Sequence, residues 1–152
     1  MGHVRFVEAG DYEYIASRMR NADIREVHAY SGMSPIDGLR FAFKHSGLAC
    51  TVVGENPCAM FGVVPLDDET GSVWLLGTDE LTATPLRREF LRKGRGFVDN
   101  LHNYRPLLSG FIDERNTLHV TWLKRLGFTI INRHPKFGFE QRPFLEFVRL
   151  RT

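Results

Sequence analysis

The chain has 152 residues, 43% hydrophobic and 25% charged, with twelve phenylalanines; that is ordinary globular usage and excludes a disordered chain. Its length fits one domain spanning residues 1–152, large enough to bury a core without staples. A net charge of +2 confines any nucleic-acid role to a local patch, and no apolar run approaches the roughly 20 residues that a membrane span needs.

The first six residues carry no apolar leader, and Phe6 stands where N-myristoylation needs Ser or Thr. The expectation is a protein that stays where it is made. Val4 to Glu8 reads as a strand. Asp11 can cap a helix to Met19 that turns Tyr14, Ile15 and Met19 inward. Asn21 can cap a second helix, Asp23 to Tyr30, stopped by Ser31-Gly32. Ser34 opens a third, with Pro35 in its first turn and Ser46-Gly47 at its end. Three strands follow in series, Leu48 to Val53, Cys58 to Leu66 and Ser72 to Gly77, with turn residues between them. The first hairpin sets Cys50 opposite Met60 or Phe61, so Cys50 and Cys58 read as buried free thiols.

Thr84 as cap and Pro85 as first residue open a long helix that ends before Arg105-Pro106. Leu107 to Asp113 is a strand. Asn116 to Leu126 is a helix closed by Gly127. Phe128 to Ile131 is a strand, and Phe144 to Leu150 pairs back across a loop over 133–143. The order predicts an α/β (α+β) fold, a central mixed twisted sheet of six to seven strands flanked by helices.

The segment Asn116-Thr117-Leu118-His119-Val120-Thr121-Trp122-Leu123-Lys124-Arg125-Leu126-Gly127-Phe128, taken with this element order, resembles the late helix of the GNAT N-acetyltransferase superfamily. A narrower resemblance covers residues 48–150. Trp74-Leu75-Leu76-Gly77-Thr78-Asp79, Arg87-Arg88-Glu89-Phe90-Leu91 and the same late helix are similar to the small internal virion proteins of short-tailed phages. That resemblance implies other virion or assembly proteins as partners, and the host cytoplasm or the virion as location.

The GNAT resemblance implies acetyl-CoA as cofactor and three elements to hold and use it: a splayed strand pair for the pantetheine arm, a glycine-rich loop that offers amides to the pyrophosphate at a helix start, and a late-helix Tyr as proton donor. On this chain the cofactor-binding positions are Leu75, Leu76, Gly77, Gly94, Gly96 and Asn116. Leu91 occupies the Gln/Arg place of the loop, and Leu123 the Tyr place. Leucine cannot donate a proton. Leu86, Phe90, Gly94, Phe97, Leu101 and Tyr104 also form one unbroken helical face. Gly94 is therefore either a close-packing residue inside a helix or part of a phosphate cradle.

Asp79 and Asp113 follow two central strands and read as turn formers or as general bases at the cleft. Arg88, Arg92 and Arg95 form a basic helix face, either solvated or a contact for an acidic partner or nucleic acid. Six scattered histidines lack metal-ligand spacing. Trp122, Phe137, Phe139, Phe144 and Phe147 read as core and strand packing. The alternative for Phe137-Gly138-Phe139, in the expected loop, is an exposed contact patch.

Overall fold

The structure is a computed structural model that describes residues 2–152. In chain order the elements are β1 (His3–Phe6), α1 (Asp11–Ser17), α2 (Asn21–Ser31), α3 (Pro35–His45), β2 (Leu48–Val53), β3 (Pro57–Pro65), β4 (Thr70–Gly77), α4 (Asp79–Thr82), α5 (Leu86–Leu101), β5 (Leu107–Asp113), α6 (Thr117–Arg125), β6 (Thr129–Phe137) and β7 (Arg142–Leu150). Among the described residues seven strands form one sheet in the order β1-β2-β3-β4-β5-β7-β6. Every neighbouring pair is antiparallel except β4 with β5.

Local chemistry explains several boundaries. Ser34 Oγ accepts from Asp37 N at 3.3 Å, Pro35 sits in the first turn, and Lys44 and His45 face the negative end of α3. Gly127 (φ +94°) lets α6 stop, and Phe128 N returns to Leu123 O at 2.9 Å. Cys50 lies opposite Phe61, as the hairpin requires, and is half-buried while Cys58 is fully buried.

The structure corrects four boundary expectations. Asp11 is the first residue of α1 rather than its cap, and Gly10 precedes it. Asn21 is the first residue of α2 rather than its cap, and Arg20 precedes it. Thr84 does not cap the long helix. The Thr84–Pro85 peptide is cis and Pro85 takes the flanking place, so α5 begins at Leu86 after the short α4. The expected loop over 133–143 is mostly strand. β6 runs on to Phe137, and β7 begins at Arg142. Pro135 is accommodated because β6 is an edge strand whose register slips between His134 and Phe137. Phe137 is thus on a strand, stacked on Phe111 at 4.5 Å, and only Phe139 of that pair is largely exposed.

The sheet separates two apolar layers. On one face Ile15, Val27 and Leu39 from α1, α2 and α3 pack on Met60 and Leu76. On the other, Val98, Leu101 and Leu126 pack on Val63, Leu108 and Phe147. Each fully buried aliphatic side chain contributes about 1.5–3 kcal/mol. These layers hold the sheet rigid where its two middle strands part.

Candidate functional site

β4 and β5 pair only from Thr70↔Leu107 to Ser72↔Ser109. Beyond Ser72 the strands diverge, and their ends are held by α2. Asp23 Oδ2 accepts from Gly77 N at 2.9 Å, and Glu26 Oε1 accepts from Asp113 N at 3.0 Å. Gly77 O accepts from Arg20 N at 2.9 Å. Both polar groups of Gly77 therefore face away from β3. Alternation along the strand puts the N–H and C=O of Leu75 on that same parted edge.

From the other face of the sheet, α6 reaches through the gap. Asn116 Nδ2 donates to Asp23 Oδ1 at 3.0 Å and to Glu26 Oε1 at 3.3 Å. Arg20 Nη1 donates to Asp23 Oδ1 at 2.9 Å and stands 3.0 Å from His119 Nε2. Arg20, Asp23, Asn116 and His119 are all buried. They form a polar bolt joining α2 to α6 across the parted strands. Burial, more than it is opposed by Asp23, pushes the His119 imidazole below its ordinary pKa. His119 is then neutral at pH 7 and accepts from Arg20, the arrangement that a buried cation tolerates.

Glu26 sits at the edge of this bolt and also lines the cleft. It is partly buried. Burial, and then the neighbouring Asp23, raise its carboxyl to about 8, against the pull of the Asp113 and Asn116 hydrogen bonds. It therefore carries a proton at pH 7.

The cleft has a volume of about 500 Å³ and threads the gap between the strands. Its walls are largely aliphatic and aromatic, with Met33, Phe41 and Trp74 on the α2–α3 side and Phe97, Leu123 and Leu126 on the α5–α6 side. Phe90 and Trp122 close the space between α5 and α6, with ring centroids 5.5 Å apart.

The sequence-expected residues are distributed unevenly about this site. Leu75, Leu76 and Gly94 line the cleft. Gly94 lies inside α5, where a Cβ would meet Leu126 Cδ2 at 2.3 Å, so it is a close-packing glycine. Gly96 is in the same helix with open space around it. Neither carboxylate proposed from strand ends reaches the cleft. Asp79 is exposed at the start of α4, and Asp113 is turned to Arg115, 2.7 Å away. Arg88, Arg92 and Arg95 are exposed along α5, and Arg95 Nε donates to Arg125 O at 2.9 Å. Arg20, Asp23, Glu26 and His119 escaped the sequence reading. Among the described residues no cluster of His, Cys, Asp and Glu is placed to hold a metal ion, and no helix is long and apolar enough to cross a membrane.

The same architecture recurs in solved N-acetyltransferases. Spermidine N-acetyltransferase from Vibrio cholerae, in complex with CoA and spermine, superposes with a TM-score of 0.69 at 14% identity, over 99% of this chain and 95% of that one. A GNAT-family acetyltransferase from Bacillus anthracis gives 0.71 at 12% identity, with the same coverage. A third, provisionally described as a phosphinothricin N-acetyltransferase, gives 0.69 at 17% identity over 100% and 99%. No family model matches the chain, and no curated protein does. The chain thus has the GNAT acetyltransferase fold, with seven strands among the described residues in a mixed sheet between helices.

That fold implies acetyl-CoA, and the residues present do not fit it. The edge of β4 at Leu75 is offered. However, Gly77 N and the Asn116 amide are engaged by Asp23. Two first-turn amides of α5 are also engaged, Arg87 N by Ala83 O and Glu89 N by Pro85 O. Both glycines of the candidate loop lie within the helix, and Leu123 holds the Tyr place.

Proposed function

We propose that this chain is a GNAT-fold protein that acts through contacts with other proteins, as an internal virion or assembly component of a short-tailed phage, without acetyl transfer. The observation that carries the non-catalytic part is the bolt from Arg20 and Asp23 to Asn116 and His119, which engages Gly77 N and the Asn116 amide, two of the positions expected to hold acetyl-CoA. The virion part draws support from the resemblance at Trp74 to Asp79, Arg87 to Leu91 and Asn116 to Phe128. In this reading the exposed Arg88, Arg92 and Arg95 face partner proteins, and nucleic acid is the lesser candidate. Calorimetric titration with acetyl-CoA tests it. No saturable heat and no thermal shift at millimolar acetyl-CoA are expected. Saturable micromolar binding would overturn the reading.

A second reading is an acetyl-CoA-dependent N-acetyltransferase on a small amine or protein. The comparisons lend it the wider support, since each match named above is described as an acetyltransferase and none as a virion protein. The specific observation in its favour is Glu26, a carboxyl at the gap with a pKa raised to about 8, which holds a proton at pH 7 and is suited to general-acid work. A polyamine such as the spermine of the Vibrio cholerae complex would meet a single carboxyl in this cleft. Product formation from acetyl-CoA and an amine panel, lost in Glu26→Gln, would establish this second reading.

A further inference from the structure

The cleft is large for an incidental void. At about 500 Å³ it falls within the range of small-molecule sites, roughly 300–1,000 Å³, and it has their usual make-up of apolar walls and a few polar groups. Among the described residues no Lys, Arg or Asp lines it. Glu26 supplies the one carboxyl. Its Oε1 accepts from Asp113 N and Asn116 Nδ2, and no hydrogen bond engages its Oε2. A protonated carboxyl with one oxygen doubly engaged presents its O–H from the other.

We infer that the cleft binds a slender, uncharged apolar molecule bearing one carbonyl group, which accepts a hydrogen bond from Glu26. The shape follows from the path between β4 and β5. The lack of charge follows from the walls, because an ion carried into them would lose its hydration without a counter-charge. The carbonyl follows from the donor. An anionic headgroup would meet Asp23 behind Glu26 and could not accept without repulsion. A cation would have to pull the proton from a carboxyl flanked by Asp23 and Asp113 and by the positive Arg20 and Arg115, with His119 neutral behind them.

The experiment is a fluorescence titration with Nile red, an uncharged apolar dye carrying one carbonyl, followed by displacement with decanamide, decanoate and decyltrimethylammonium. Acetyl-CoA is absent, so the outcome is independent of the acetyl-transfer question. One dye per chain is expected at pH 6.5, displaced at least about tenfold more tightly by decanamide than by either ion. Affinity should fall several-fold between pH 6.5 and 9.5 as Glu26 loses its proton. Glu26→Gln keeps an N–H donor and should keep binding at pH 6.5, without the pH dependence. Val73→Phe, which fills the cleft from β4, should abolish binding while circular dichroism remains unchanged. The inference is overturned by the absence of saturable one-to-one binding, by equal or better displacement by either ion, by the same pH profile in Glu26→Gln, or by intact binding in folded Val73→Phe.

Discussion

Asp23 and Glu26 lie one turn apart on α2, and each accepts the terminal amide of a different strand, Asp23 that of Gly77 and Glu26 that of Asp113. The helix therefore bridges the two strands at the point where they stop pairing. The two acids differ in surroundings. Asp23 answers Arg20 directly at 2.9 Å, whereas Glu26 has no cation in contact and keeps its proton.

This difference separates two substitutions. Asp23→Ala leaves the Arg20 guanidinium, the Gly77 amide and the Asn116 amide without their acceptor. Breaking a buried ion pair on one side costs about 3–5 kcal/mol, so a marked drop in the urea midpoint is expected. Glu26→Gln exchanges one neutral, hydrogen-bonding group for another in the folded chain, but unfolded wild type has released this proton at pH 7, so the variant should be more stable than wild type there by up to a few kcal/mol. A loss of stability in the variant would mean that Glu26 is ionised in the native protein.

The pH dependence of stability carries the same assignment. The folded pKa of Glu26, about 8, exceeds its ordinary value of 4.5. Between those values the folded chain holds a proton that the unfolded chain has released. Stability from this group is thus fully present below about pH 4.5, declines as pH rises, and levels off above about pH 8. Other carboxylates slope the opposite way in acid, so the comparison is between wild type and Glu26→Gln. Urea unfolding from pH 5 to 9 should show wild type losing up to a few kcal/mol relative to the variant. Parallel curves would refute a protonated Glu26.

Where a structural choice is local, the sequence declares it. Ser34-Pro35 opens α3 and Gly127 closes α6 because the caps and the left-handed turn are made by those residues themselves. The run of α5 through Gly94 was legible because its apolar face continues unbroken on both sides. The length of β6 was not, because Pro135 reads as a breaker unless the strand is known to lie at a sheet edge. The bolt was hidden for a different reason. Asp23 and Asn116 are 93 positions apart, and only the parting of β4 from β5 brings them together. The two i, i+3 pairs, Asp23 with Glu26 and Asn116 with His119, were the available signal, since each puts two polar groups on one helix face.

Cysteine reactivity should report the burial of the sheet. Burial, and to a lesser degree Glu80, push the Cys58 thiol up to about 12, and its Sγ lies 3.3 Å from Val52 O. Cys50 is half-buried and raised by burial alone. Because the thiolate is the reactive form, Ellman's reagent at pH 8 should modify Cys50 slowly and Cys58 only on unfolding. Release of two equivalents from native protein at one rate would contradict this arrangement.

Gly94 and Gly96 lie two residues apart on α5 and should respond to alanine in opposite directions. Each interior glycine costs about 1 kcal/mol of helix propensity relative to alanine. At Gly96 nothing lies within 4 Å of a new Cβ, so Gly96→Ala should stabilise by about 0.5–1 kcal/mol. At Gly94 the new Cβ would lie 2.3 Å from Leu126 Cδ2, and Leu126 is itself buried in the layer under α5 and α6. Moving it disturbs a packed core at about 1–3 kcal/mol, which exceeds the propensity gain. Gly94→Ala should therefore lower the melting temperature while Gly96→Ala raises it. If both raised it, Leu126 would have room to turn aside, and Gly94 would no longer be needed for helix packing.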